Sequence, residues 1–335
     1  MTISDLLRPG LTERVASSRL TAVSVAVVRG TDVRAEVVGS SPATEGSGQT
    51  TDLRPAFSFT KTYLAAAACL LAHEGVLDLD APVAAWVPES SLGDDVTLRR
   101  LLNHTAGVPD YGALREYHQA VAAHPGEPWS EGEFMAVARH AALFPPGRGW
   151  AYSNTGYFLV RLAIERATGG DLAHALQRLV FGPLGLHATS VLATADDMRA
   201  LAAAPSRDRY HPGWVATGCV ATTSAEAARF LDDLLEGRLL PAAWVEEMRV
   251  AIPVPNAGRG HLPSYGLGLM IDRGFPAGTM LGHTGGGPGY SAAVYRLERG
   301  SGERVTVGVM ASDEDGLATE QLAHEIASDL STSAV

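Results

Sequence analysis

Apolar and polar positions follow different periods along the chain, and the changes of period mark out its elements. Ile3 to Leu20 repeats apolar residues at helical spacing. Val23 to Arg29 and Val33 to Val38 are rich in β-branched residues with Gly30 and Thr31 between them, which predicts a hairpin. Gly39 to Thr51 is dense in Gly, Ser and Thr and reads as a loop. From Ser58 to His73 the pattern is helical and almost wholly apolar, which predicts a central, buried helix. Shorter helical pieces follow, broken by Pro and Gly: Thr97 to Asn103, Glu131 to Ala142, Thr155 to Ala167, Leu172 to Val180 and Ser224 to Leu235. The strand signal then returns at Tyr265 to Ile271, Ser291 to Leu297 and Arg304 to Ala311, before a closing helix over Leu317 to Leu330.

Strands at both chain ends with helices between them predict an α+β fold, in which one sheet is assembled from the two termini and flanked by the terminal helices. The expected organisation is a discontinuous sheet unit, residues 1–75 and 235–335, with a helical unit over residues 76–234 inserted into it. A cleft between the two units is the natural place for a site.

Charge and composition narrow the function. A net charge of −11 argues against nucleic acid or an anionic membrane as partner. No apolar run is long enough to span a bilayer. The opening residues lack the pattern of a secretory signal, so the expected location is the cytoplasm, with Cys69 and Cys219 reduced. Of the 26 basic residues one is a lysine, Lys61, and the rest are arginine. In a chain that uses Arg wherever a surface cation will do, a lone Lys suggests a position that needs a titrating amine. The plainer alternative is a surface lysine that has survived by chance.

Lys61 stands in Ser58-Phe59-Thr60-Lys61, at the start of the buried helix. The i, i+3 spacing places hydroxyl and amine on one helical face. A helix N-terminus and an apolar setting both lower an amine's pKa, and a neutral amine can take the proton of a weak hydroxyl nucleophile. Alone the motif is weak, since Ser58 could be a plain N-cap. Tyr152-Ser153-Asn154 is the second element. A Tyr beside a cationic Lys is expected to have a lowered pKa and to shuttle a proton, and an Asn amide can hold a substrate carbonyl and the amine together. The alternative is a surface turn with Asn154 as helix N-cap. The third is Gly282-His283-Thr284-Gly285-Gly286-Gly287, on or leading into a strand, where glycines allow close approach of a ligand and backbone N–H groups can form an oxyanion hole. A flexible hairpin connection would look the same. A phosphate loop is disfavoured, because no Lys-Ser or Lys-Thr follows.

Ser-x-x-Lys, Tyr-x-Asn and His-Thr-Gly, in this order, resemble the three signatures of the serine β-lactamases and penicillin-binding-protein-like hydrolases. The branch they resemble holds class C β-lactamases, family VIII carboxylesterases, D-aminopeptidases and D-alanyl-D-alanine carboxypeptidases. Leu101-Leu102-Asn103-His104-Thr105-Ala106-Gly107 and Pro145-Pro146-Gly147 look like the same branch, and the resemblance spans about residues 20 to 312. It implies a β-lactamase/transpeptidase-like fold with an antiparallel sheet. It implies Ser58 as the acylated nucleophile, with Lys61 and Tyr152 sharing the base and acid work in an undecided order. Asn154, His283, Thr284 and Gly285 would bind substrate, and the N–H groups of Ser58 and Gly286 would form the oxyanion hole. His283 departs from the pattern, since many β-lactamases carry a lysine there to hold a substrate carboxylate. No counterpart of the class A deacylating glutamate is evident, so deacylation would also rest on Tyr152 and Lys61.

These readings predict a cytoplasmic serine hydrolase or acyltransferase acting on a small ester, amide or short peptide, with no cofactor and no metal. The remaining histidines show no His-x-x-x-His spacing. The alternatives are a catalytically idle binding or sensor protein on the same fold, and a β-lactamase or D-alanyl-D-alanine carboxypeptidase. Trp150, Tyr111, Trp214 and Tyr290 are candidates either for lining the cleft or for packing the core.

Overall fold

The computed structural model describes residues 3–18, 20–38, 52–201, 210–255 and 263–332. The loop expected over residues 39–51 lies outside these. The strands among the described residues are β1 (Val23–Arg29), β2 (Asp32–Val38), β3 (Arg54–Pro55), β4 (Ser190–Leu192), β5 (Cys219–Thr222), β6 (Ile252–Pro253), β7 (Pro263–Tyr265), β8 (Met270–Asp272), β9 (Thr279–Gly287), β10 (Tyr290–Glu298) and β11 (Arg304–Ala311).

Eight of them form one sheet in the order β2-β1-β11-β10-β9-β8-β7-β6, with every neighbouring pair antiparallel. The hairpin from the chain's start therefore pairs with its last strand, as Val23 opposite Ala311 and Val28 opposite Thr306. The two-residue alternation of β1 explains how the sheet is sandwiched. Val23, Val25 and Val27 face Leu11 and Val15 of the first helix (Ile3–Ser18) and Leu322 and Ile326 of the last (Gly316–Thr332). Ala26 and Val28 face the other way, onto Ala228 of the helix Ser224–Leu235. On that side Ser24 Oγ and Ser224 Oγ share a hydrogen bond of 2.7 Å.

The helix Thr60–His73 is buried on every side over its first ten residues, which is why its sequence shows no polar stripe. Tyr63 stacks on Phe230 at 3.9 Å and Phe59 meets Tyr63 edge-on, fixing the start of this helix in the core. The helix packs against Asn154–Thr168.

Two features depart from the sequence expectation. The strand read over Tyr265 to Ile271 is broken into β7 and β8 by a tight turn in which Gly268 has φ +69, a left-handed value that glycine adopts without strain. The second is a small sheet, β3-β5-β4, whose pieces are two to four residues long. It seats the turn that follows β3: Ala56 N–H donates to Val220 O at 2.7 Å, and Val220 N–H donates to Thr60 Oγ1 at 3.1 Å.

Candidate active site

Held by that small sheet, the chain turns sharply through a single 3₁₀ turn, Phe57–Phe59, before the buried helix begins. Phe57 has φ +44. A bulky non-glycine residue in the left-handed region is strained, by about 1–3 kcal/mol, and such strain collects where surrounding contacts over-determine a functional geometry. The turn leaves Ser58 partly exposed between buried neighbours. Ser58 is not a cap: the buried helix has Phe59 at its N-cap position and no side-chain cap bond.

Lys61 is buried, with 1% of its surface exposed, so it is no surface survivor. Its amine lies 3.2 Å from Ser58 Oγ and 2.7 Å from Asn154 Oδ1. Burial drives its pKa down to about 7, partly opposed by the carboxylate of Asp110. The amine is thus substantially neutral at physiological pH and touches the hydroxyl it would deprotonate.

Tyr152 and Asn154 arrive from a loop that is fastened to the segment around His104. Gly147 N–H donates to Thr105 O at 2.8 Å and Ala151 N–H to His104 O at 3.0 Å. Ser153 N–H donates to His104 Nδ1 at 3.1 Å. His104 has φ +63 and is fully buried, and its ring lies 4.4 Å from that of Tyr152. His104 is therefore a direct clamp on the Tyr152 loop. Ser153, not Asn154, caps the following helix, its hydroxyl accepting from Gly156 N–H at 3.0 Å. This leaves the Asn154 side chain to face Lys61.

The Tyr152 ring centroid is 4.9 Å from Lys61 Nζ, and the neighbouring Ser58 side chain acts to lower the pKa of the phenol. The expected lowering of its pKa is not what the structure gives. Desolvation pushes it up, and the Ser58 side chain offsets only part of that. The reason is that burying the phenol disfavours the charged phenolate, and the nearby carboxylate of Asp110 adds to that. Tyr152 is therefore held as the protonated phenol.

β9 supplies the third side. Its pairing with β8 ends at Gly282, opposite Met270, so the β9 edge from His283 to Gly287 has no β8 partner. Gly285 explains how this edge comes up against the Ser58 turn: a Cβ there would sit 2.0 Å from Ala56 O and 3.2 Å from Ser58 N. At Gly286 the corresponding space is open. His283 is buried, and its Nε2 lies 2.8 Å from Tyr265 Oη while its Nδ1 lies 2.5 Å from Thr284 O. A carbonyl only accepts, so Nδ1 carries the proton and Nε2 accepts from Tyr265. Desolvation, reinforced by Lys61, lowers its pKa to about 3. The ring is neutral. Thr284 is partly buried, with its hydroxyl 3.8 Å from Met270 Sδ.

One participant was missed in the sequence. Asp110 accepts from Asn154 N–H at 2.9 Å and from Asn154 Nδ2 at 3.3 Å, and from Gly112 N–H at 3.1 Å. The available signal was a Pro-Asp pair opening a short turn, which is too common to single out. Of the four aromatic candidates, Tyr111, Trp214 and Tyr290 are core residues, and Trp150 lines a cavity beside Tyr152.

Residues 8–330 match the family model described as Beta-lactamase. The chain belongs to the Beta-lactamase family. As a member of that family of serine hydrolases, it is 28% identical over 71% of its length to a penicillin-binding protein of Bacillus subtilis (strain 168), spanning 56% of that protein. It is 36% identical over 38% of its length to an esterase of Burkholderia gladioli, spanning 36% of it. The chain thus covers about half or less of these curated relatives. Among solved structures, a D-stereospecific amidohydrolase from Streptomyces sp. superposes with a TM-score of 0.77 at 27% identity, covering 93% of this chain and 96% of that one. The β-lactamase/transpeptidase-like fold is shared, with its antiparallel sheet and helices. No helix among the described residues is long and apolar enough to cross a membrane.

Proposed function

We propose that the protein hydrolyses a small ester or amide, or transfers its acyl group, through an acyl intermediate on Ser58. The observation that carries this reading is the Lys61 amine, buried, titrating near 7 and 3.2 Å from the Ser58 hydroxyl. An idle binding protein has no use for an amine held at such a pKa, because burying it weakens the fold.

In this mechanism Ser58 Oγ bonds to the substrate carbonyl carbon as its proton passes to Lys61 Nζ. The N–H groups of Ser58 and Gly286 receive the developing oxyanion. The bond to the leaving group then breaks, and Tyr152 gives that group its proton while recovering one from Lys61. Water enters and adds to the acyl carbon as it loses a proton to the same pair; the bond to Ser58 Oγ then breaks, that proton returns to Oγ, and the acid is released. An alcohol or amine in water's place gives transfer instead. Asn154 orients the carbonyl and Lys61, and Thr284 and Gly285 border the substrate along the open edge of β9. With both ring nitrogens engaged and no charge, His283 is a structural partner of Tyr265 and gives a substrate carboxylate no cation to bind. That favours an esterase or amidase over a β-lactamase or D-alanyl-D-alanine carboxypeptidase, and the esterase and amidohydrolase relatives point the same way. The sheet unit (1–75 and 235–335) and the helical unit (76–234), with the site between them, and a cytoplasmic location belong to the same proposal.

The test is labelling with a fluorophosphonate followed by intact-mass and peptide analysis. A single adduct on Ser58 in the wild type, absent from Ser58→Ala, is expected. An unlabelled protein that also fails to turn over p-nitrophenyl esters would leave the idle reading standing.

A further inference from the structure

The glycines of β9 on either side of Gly286 share one face of the strand, because successive residues of a strand alternate. Gly285 comes up against the backbone of Ala56 and Ser58. Gly287 comes up against the ring of Phe57: a Cβ there would lie 2.7 Å from Phe57 Cδ1 and nearer still to Cε1 and Cζ. β9 is thus seated on the Ser58 turn at two points, one made by backbone and one by a side chain, with Gly286 between them. The end of the strand has a further anchor. Gly287 pairs with Tyr290 across Pro288 and Gly289, the latter at φ +80, and Gly289 N–H donates to Glu314 Oε1 at 2.8 Å.

The backbone of residue 57 suits glycine. Its φ of +44 would cost glycine nothing, but glycine would bring no ring. Phe57 is 3% exposed, and its ring covers the face of Gly287 where a side chain would otherwise stand. Core packing alone accounts for a buried ring but not for a left-handed phenylalanine next to Ser58. We propose that Phe57 is a positioning residue for the oxyanion hole: its strained backbone aims the ring at Gly287, and the ring sets how far the Gly286 N–H stands from that of Ser58. The inference rests on the acyl-Ser58 reading above. Phe57 touches no reacting atom in this scheme and acts through β9.

The experiment uses the full chain and two substrates that differ in one atom, p-nitrophenyl butyrate and the thionoester with sulfur in place of its carbonyl oxygen. Sulfur is larger and a weaker acceptor, so a well-set pair of N–H groups favours the oxygen ester, and the ratio of the two kcat/KM values reports the geometry of the hole. Phe57→Gly and Gly287→Ala should each lower kcat for the oxygen ester by about tenfold or more, change KM by less than about threefold, and narrow the oxygen-to-sulfur ratio by about threefold or more. The double variant, in which the added methyl meets no ring, should lose little more than Phe57→Gly alone. Phe57→Leu keeps an apolar side chain in place, covers the case in which the other variants fail to fold, and should shift the ratio in the same direction. An unchanged ratio in the folded variants, a loss confined to KM, or fully additive losses in the double variant overturn the positioning role and leave the acyl-enzyme reading standing. If the oxygen ester leaves no butyryl mass on Ser58 of the wild type, the acyl-enzyme reading falls, and this inference with it.

Discussion

The carboxylate of Asp110 holds Asn154 by both its backbone N–H, at 2.9 Å, and its side-chain amide, at 3.3 Å. With its NH2 turned to Asp110, Asn154 presents Oδ1 to the Lys61 amine 2.7 Å away. The same carboxylate raises the amine's pKa against the lowering effect of burial. Asp110→Asn should therefore act twice. Loosening Asn154 should lower kcat/KM by about 10–100-fold. Losing the anion should move the acidic limb of the pH profile to lower pH, because protonated Lys61 loses a stabilising neighbour. A pH–rate profile of the variant checks both, and a limb that moves upward would contradict the assignment.

The acid limb of acylation should itself lie near pH 7, with rate rising as Lys61 loses its proton. His283, lowered to about 3, cannot produce that limb. Lys61→Arg should lose on the order of 10⁴-fold in kcat, since guanidinium keeps the charge and cannot take a proton. Pre-steady-state acylation measured across pH 5 to 9 tests the pair of statements, and a profile flat across pH 7 would argue for another base.

Lys61 also weakens the fold. A fall from 10.5 to about 7 corresponds to roughly 5 kcal/mol of less favourable protonation in the folded state. The unfolded chain binds the extra proton between those values, so wild-type stability from this group rises with pH through that window and the penalty is complete below about 7. Lys61→Met should consequently melt higher than wild type at pH 6 while being inactive, with the gap closing towards pH 10. Calorimetric or spectroscopic melts at several pH values give the answer, and a gap that widens with pH would have the wrong sign.

Two adjacent glycines of β9 should respond differently. A methyl group at Gly285 meets Ala56 O at 2.0 Å, where backbone cannot yield cheaply, whereas at Gly286 it meets nothing within 4 Å. Gly285→Ala should force β9 away from the nucleophile turn, lowering Tm and activity together, and Gly286→Ala should fold normally. Thermal melts and fluorophosphonate labelling rates of the two variants distinguish them.

Much of this site was legible because its side chains are rare or their order is specific. One lysine among 26 basic residues drew attention to Ser58, and the order of the three motifs did the rest. Asp110 was hidden because it acts through a partner 44 residues away and belongs to an abundant residue type. The small sheet was hidden because Arg54–Pro55 and Ser190–Leu192 are too short to show alternation. The direction of the Tyr152 shift was misread because nothing in the sequence shows that the phenol itself is buried, and its own desolvation decides the shift. The cavity was equally invisible, as its walls are drawn from residues between 150 and 324 that share no pattern.

The solitude of Lys61 makes its chemistry directly observable. A sample grown with isotope-enriched lysine would carry one ε-methylene and one ammonium resonance from this sequence, and both would belong to Lys61, the proposed base. Their chemical shifts, followed through a titration and through acylation, would report the proton's whereabouts at each stage without any substitution or assignment.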